Sequence, residues 1–218
     1  MEAILKIGGS LAEDPVSLTR LCQKLSLLMK THRIIIVPGG GEFADTIRKL
    51  DKKYRLSDMV AHKMAILAMD QYGLLLSSLT PNSYVSYSQE EKRKGMLLIL
   101  LPSQLLFHDD SLENSWDVTS DTIAAYISQR LHVKKLILVT DVDGIFPKNP
   151  KHNCNTQLIE EISAEELLGW NIRTSVDKNL PKMLLPTKLD CFVVNGKYPK
   201  RIKLILENKK TVCTHITT

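Results

Sequence analysis

The sequence predicts an α/β protein whose mainly parallel central sheet is sandwiched between helices, and three observations predict it. Short unbroken apolar runs, among them Ile34-Ile35-Ile36-Val37 and Leu136-Ile137-Leu138-Val139, have the composition of strands buried on both faces of a parallel sheet. They alternate with longer stretches whose apolar residues recur at helical spacing, the pattern of βα units. Several runs also end in glycine or aspartate turns, at Gly8-Gly9, Gly39-Gly40-Gly41, Asp141 to Gly144 and Asn195-Gly196. Ligands of open α/β sheets bind beyond the carboxyl ends of the strands, so these turns are where a site belongs.

In chain order, Ala3 to Ile7 is a first strand running into Gly8-Gly9-Ser10. Pro15 opens a helix to about Lys30, with Leu18, Leu21, Cys22, Leu25 and Leu28 on its apolar face. The strand Ile34 to Val37 ends in Pro38-Gly39-Gly40-Gly41, and a helix follows from Glu42. A second amphipathic helix spans about Asp58 to Leu79, with Met64, Leu67 and Ala68 inward. Asn82 to Lys94 is polar and reads as a lobe or lid, and Met96 to Leu101 as a third strand stopped by Pro102. Thr119 or Ser120 caps a helix carrying Ile123, Tyr126, Ile127 and Leu131 on one face, with Asp121 and Thr122 in its first turn. The strand Leu136 to Val139 then brings Thr140 to Gly144 to the end of the sheet that also holds Asp121. Gln157 to Ile162 is a short strand, Ser163-Ala-Glu-Glu a capping box, Gly169 to Lys178 a loop, and Leu180 to Leu185 helical. Phe192 to Val194, a helix from Pro199 to Glu207 and a strand from Val212 to Ile216 complete the chain.

At 218 residues, 44% hydrophobic and 24% charged, the chain is long enough to bury a core as a single domain over 1–218. Its net charge of +5 comes from scattered basic residues, with short clusters at Lys92-Arg93-Lys94 and Lys209-Lys210 that read as solvated surface. No basic stripe with interleaved aromatics calls for nucleic acid, whereas a small anionic substrate suits this balance. Cys22, Cys154, Cys191 and Cys213 lack C-x-x-C or Cys/His metal spacing. The N-terminus enters a strand directly, and no apolar stretch spans a bilayer. The expectation is a cytoplasmic, reduced protein with no membrane partner.

Lys6-x-Gly8-Gly9-Ser10 and Gly39-Gly40-Gly41-Glu42 each follow an apolar strand and precede a helix. Glycines there let backbone N–H groups approach phosphate oxygens, with helix N-termini adding positive potential. The alternative is a pair of tight α/β turns with Lys6 as an edge lysine. Two such turns, rather than one, favour phosphate binding. Neither is a P-loop or a dinucleotide fingerprint. Asp121 is either a helix-start carboxylate or the residue that orients Lys6, and Asp141 and Asp143 are either turn formers or site residues. No Ser-His or Cys-His pair supplies a nucleophile, and His62 and His108 read as surface or capping residues.

K-x-G-G-S at 6–10, G-G-G at 39–41, T-S-D-T at 119–122 and T-D-V-D-G-I-F at 140–146 stand in the order used by the amino acid kinase family, which the chain resembles over essentially its whole length. The resemblance implies a three-layer α/β/α sandwich that moves the γ-phosphoryl group of ATP, with Mg²⁺, onto a carboxylate or phosphate acceptor. It gives Lys6 and Asp121 catalytic roles, Lys6 bridging the phosphates and Asp121 positioning it. Gly8, Gly9, Ser10, Thr140, Asp141, Gly144 and Phe146 would hold ATP. Gly39, Gly40, Gly41, Glu42, Trp116 and Asp117 would face the acceptor. The family's second lysine, in G-G-M-x-x-K, has no counterpart in register; Lys178 and Lys182 stand nearest.

Within the family, isopentenyl phosphate kinases follow the triple glycine with Gly-His, where this chain has Ala44-Asp45, and the basic residue of uridylate kinases is missing from 42–45. P-G-G-G-E-F-A at 38–44, S-W-D-V-T-S-D at 115–121, T-S-V-D at 174–177 and V-V-N-G at 193–196 are instead similar to a branch acting on (aminomethyl)furanmethyl phosphate. That resemblance implies a small phosphate monoester as substrate and a homodimer. The substrate cation would meet Glu42, Asp45, Asp117 or Asp177, with Trp116 packing on the furan ring. Another kinase of the family, or a non-catalytic anion-binding protein on the same fold, is the alternative.

Overall fold

The computed structural model describes residues 2–91, 93–148, 153, 155–172 and 174–218; Lys92 of the basic cluster and Cys154 lie outside them. Eight strands form one sheet: β1 (Ala3–Ile7), β2 (Ile34–Pro38), β3 (Ser83–Ser86), β4 (Leu97–Leu100), β5 (Lys135–Thr140), β6 (Glu161–Ser163), β7 (Asp190–Asn195) and β8 (Thr214–Thr217). Their order across the sheet is β3-β4-β2-β1-β5-β7-β8-β6. Every pairing is parallel except β7 with β8, so the sheet is mainly parallel. β1, β2 and β4 are buried along their whole length, which is why their sequences are unbroken runs of branched aliphatics.

Among the described residues, eight α-helices accompany the strands: α1 (Pro15–Leu28), α2 (Gly41–Tyr54), α3 (Asp58–Leu79), α4 (Ser103–Leu106), α5 (Ser120–Arg130), α6 (Ala164–Trp170), α7 (Leu180–Leu184) and α8 (Pro199–Leu206). A 3₁₀ turn, Gly9–Glu13, precedes α1. Asp14 caps α1, its carboxylate accepting from the Ser17 amide at 3.0 Å, and Pro15 fills the first turn. The alternation of side chains along each strand divides the core into two layers. Leu5, Ile7, Ile36 and Val139 pack against Leu21 and Leu25 of α1, Tyr72 and Leu76 of α3 and Ile202 of α8. Ile4, Ile35, Leu136 and Leu138 face the other way, onto Ile66 and Met69 of α3, Ile123 and Ile127 of α5, and α7. Lys6 shares the face of Ile4, which points it at α5.

The structure departs from the sequence reading in places. The polar stretch 82–94 contributes β3, an edge strand of the main sheet, rather than a lobe or lid. On α3 the inward side chains are Ile66, Met69, Tyr72 and Leu76, together with the expected Ala68; Leu67 is 44% exposed. β6 begins only at Glu161, preceded by a single bridge between Ile145 and Ile159. Thr119 does precede α5, but its side chain does not cap the helix.

Candidate functional site

The turns after β1 and β2 lie against each other at the carboxyl end of the sheet. A Cβ on Gly9 would stand 2.1 Å from the Gly41 nitrogen, and Gly41 has φ +53°, so both positions require glycine. The amides of Gly8 and Gly39 are committed to the scaffold, donating to Val139 at 2.7 Å and to Ile7 at 2.8 Å. Those of Gly9, Gly40 and Gly41, at the beginnings of the 3₁₀ turn and α2, have no backbone acceptor among the described residues. The amides open to a ligand are therefore fewer than the five glycines of the two motifs.

A cavity of about 460 Å³ opens over these turns and is lined by Lys6, Gly8, Gly9, Ser10, Gly40, Gly41, Glu42, Trp116, Asp121 and Thr140. Lys6 Nζ lies 2.7 Å from Asp121 Oδ1, both side chains about nine-tenths buried. The second oxygen of Asp121 accepts the Asp177 amide at 3.2 Å. Asp177 was a candidate for the substrate cation, and the structure corrects that: it is 2% exposed and fully engaged. Its carboxylate accepts from the Thr119 amide and hydroxyl at 3.0 and 2.8 Å, the Thr122 amide and hydroxyl at 3.0 and 2.6 Å, and the Leu180 amide at 2.8 Å. It thereby caps α5 from 55 residues away, in place of Thr119. Burial, and then the charge of Asp121, push the Asp177 carboxyl above its usual range.

On the α2 side, the Trp116 indole N–H donates to Asp51 at 2.8 Å, and the Arg48 guanidinium lies 4.7 Å from the ring centroid. Arg48 also pairs with Asp45 at 2.7 Å. Asp117, next to Trp116, stands outside the cavity wall, 3.9 Å from Lys178. Lys178 and Lys182 do not line the cavity either, so neither reaches the place of a second cation there. The cavity's cationic side chain besides Lys6 is Arg48, with His62 of α3 nearby in the wall. Burial holds the His62 imidazole below its usual value, which keeps it neutral at pH 7.

Across the cavity, Ser10 donates to Asp141 at 2.9 Å and ties the β1 turn to the end of β5. Gly144 is buried beneath β8, where a Cβ would come within 2.3 Å of Thr214 Oγ1, and Phe146 is half-buried; neither forms the wall. Asp143 is taken up by Arg201 at 2.6 Å and Asn195 at 3.0 Å.

Sequence reasoning missed Arg48 and His62 as wall residues. Each had a periodic signal: Arg48 follows Gly41, Ala44 and Asp45 along one helical face, and His62 shares a face with Ala65, Ile66 and Met69, all lining the cavity. Among the described residues, no three His, Cys, Asp or Glu side chains gather as a metal-ligand set, and no helix is long and apolar enough to cross a membrane.

The chain is 38% identical to the [5-(aminomethyl)furan-3-yl]methyl phosphate kinase of Methanocaldococcus jannaschii, over 98% of this chain and 96% of that one. Its fold is similar to the crystal structure of uridylate kinase from Archaeoglobus fulgidus, with a TM-score of 0.75 at 18% identity, covering both chains completely. It is also similar to the isopentenyl phosphate kinase of T. acidophilum, with a TM-score of 0.65 at 21% identity over 99% of this chain and 100% of that one. The amino acid kinase family model matches residues 1–194, and with glycine turns, Lys6–Asp121 pair and sheet order in place, the chain belongs to the amino acid kinase family.

Proposed function

We propose that this protein transfers the γ-phosphoryl group of ATP to a phosphate monoester, (aminomethyl)furanmethyl phosphate, yielding the diphosphate and ADP. The observation that carries the reading is Lys6, an ammonium held by Asp121 at the cavity floor where two glycine turns meet. The whole-length relationship to the M. jannaschii kinase supports the choice of acceptor.

An acceptor phosphate oxygen is already anionic near neutral pH, so the reaction needs alignment and charge neutralisation rather than a general base. Lys6 stabilises negative charge between the transferring and acceptor groups, and Asp121 fixes its position. Gly8, Gly9 and Ser10 form the ATP-phosphate seat, with Thr140, Asp141, Gly144 and Phe146 on the nucleotide side. Gly39, Gly40 and Gly41 form the acceptor seat, with Glu42 and Trp116 on its wall and Asp117 behind Trp116, outside the cavity. In both seats the free amides of Gly9, Gly40 and Gly41 make the direct contacts, while Gly8 and Gly39 shape the turns. Mg²⁺ carried on the ATP phosphates would offset part of their charge beside Lys6.

The chain works as one kinase domain over 1–218, in the cytoplasm, and as a homodimer. Val60, Met64, Leu67, Gln71, Leu74 and Ser78 fall at alternating spacings of four and three along α3, an outward seam with Val60, Leu67 and Leu74 40%, 44% and 55% exposed. A second copy is the occupant that covers such a self-complementary helix face. Light scattering of the wild type and of Leu67→Lys tests this, and a monomeric wild type overturns it.

ATP-Mg²⁺ turnover against (aminomethyl)furanmethyl phosphate, isopentenyl phosphate and nucleoside monophosphates tests the acceptor. The furan substrate is expected to have the highest kcat/KM; a higher value for either rival overturns the choice, and no turnover with any removes the kinase reading.

A further inference from the structure

We propose that Glu42 is the residue that reads the ammonium group of the acceptor, and so makes the site selective for a phosphate monoester that carries its own cation. The inference rests on the acceptor reading above and assigns its specificity to one side chain.

Four carboxylates stood as equals in the sequence, and the structure separates them. Asp177 is buried and holds the start of α5 through its hydrogen bonds to Thr119 and Thr122. Asp117 lies outside the cavity wall, beside Lys178. Asp45 lines the cavity but is neutralised by Arg48 at 2.7 Å. Glu42 lines the cavity, and its carboxylate has no ion pair or hydrogen bond among the described residues.

Position gives that free charge its meaning. Glu42 follows Gly41 directly, in the first turn of α2, where the open amides of Gly40 and Gly41 form the seat for the acceptor phosphate. The helix N-terminus tolerates the carboxylate when the site is empty. A neutral-tailed phosphate entering the seat brings a dianion up against Glu42, and the two repel. A phosphate whose tail carries an ammonium places that cation beside Glu42 and removes the repulsion. One side chain thus penalises the wrong acceptor and attracts the right one, which are the two halves of specificity. Trp116, locked by Asp51 and Arg48, walls the same region and limits where the tail can go.

Among the described residues, Glu13 is the other cavity carboxylate without a partner, but it closes the 3₁₀ turn after β1, on the proposed ATP side. It therefore serves as the comparison. The experiment measures kcat and KM for (aminomethyl)furanmethyl phosphate and for the analogue with hydrogen in place of the aminomethyl group, in wild type, Glu42→Gln, Glu42→Asp and Glu13→Gln, each checked for folding by circular dichroism. Wild type is expected to prefer the aminated acceptor by about 10- to 100-fold in kcat/KM. Glu42→Gln should collapse that ratio, mainly by raising KM for the aminated acceptor and lowering it for the analogue; Glu42→Asp, which keeps the charge, should retain part of it. An unchanged ratio in Glu42→Gln, or an equal collapse in Glu13→Gln, overturns the assignment to Glu42 while leaving the acceptor reading intact. A wild type without preference for the aminated member overturns both.

Discussion

Lys6 Nζ and Asp121 Oδ1 are 2.7 Å apart in a largely aliphatic layer of the protein, beside the buried Asp177, so the ammonium proposed for catalysis is also a structural charge. Removing one partner of a buried pair strands the other, at a cost of about 3–5 kcal/mol. Lys6→Ala should thus melt earlier than wild type as well as lose at least about 100-fold in kcat. Adding Asp121→Asn should recover most of the melting temperature and none of the turnover. Calorimetry beside steady-state kinetics separates the two effects, and an unchanged melt for Lys6→Ala would mean that Asp121 is not dependent on it.

Asp177 is expected to matter for activity without touching a substrate. Asp177→Ala removes the carboxylate that accepts from Thr119, Thr122 and Leu180. Loss of the helix cap alone is worth about 1–2 kcal/mol. Alanine keeps the backbone amide that donates to Asp121, but without the carboxylate's bonds to α5 and Leu180 that amide is held less firmly, so Asp121 should position Lys6 less well and kcat should fall more than KM for ATP rises. Unaltered kcat in a folded variant would confine Asp177 to stability.

The Trp116 indole should govern acceptor binding alone. Trp116→Phe keeps a ring under Arg48 but loses the hydrogen bond to Asp51. A lost hydrogen bond to a charged partner is worth about 1.5–3 kcal/mol, so KM for the acceptor should rise about 10-fold or more while KM for ATP holds. Asp51→Asn should give a smaller change of the same kind. A matching rise in KM for ATP would place Trp116 at the wrong subsite.

Acid should loosen the loop that carries Trp116. Hydrogen bonds from Ser111 and Tyr126, with the Arg130 charge, lower the Asp109 carboxyl from 3.8 to about 2. The sign follows from the depressed folded value: Asp109 adds stability above about pH 3.8, and that share disappears as pH falls towards 2. The difference in melting temperature between wild type and Asp109→Asn should therefore be constant near neutrality, shrink as pH falls below about 4, and vanish only below about pH 2. A difference that stays at its neutral-pH size down to pH 2 would show that the loop is held by other contacts.

Most of this fold was legible because its strands are short and central. Ile34 to Val37 and Leu136 to Val139 cannot be anything but doubly buried, and the glycines that end them mark the site. β3 escaped because an edge strand pairs on one side only and its buried positions, Tyr84 and Ser86, alternate with half-exposed ones in a polar segment. The inward face of α3 was misjudged because apolar residues surround that helix, and its phase is set by which ones meet β2 and β4 rather than by periodicity. The role of Asp177 depends on a contact across 55 residues, which no local pattern encodes. Lys6, Asp121 and the glycine turns were visible as motifs; the separation of Glu42 from Asp45, Asp117 and Asp177 needed the ion pairs.

Because Gly9 and Gly41 meet backbone to backbone, the distance between the two proposed phosphate seats is a gauge set by the main chain, with no side chain available to adjust it. Drift at either glycine widens the gauge and spoils in-line transfer for every acceptor alike. Change can accumulate instead farther along α2 and in the 107–119 loop, where only the tail of the acceptor is felt. The proposed transfer geometry and the choice of acceptor are thus set by separate parts of this chain.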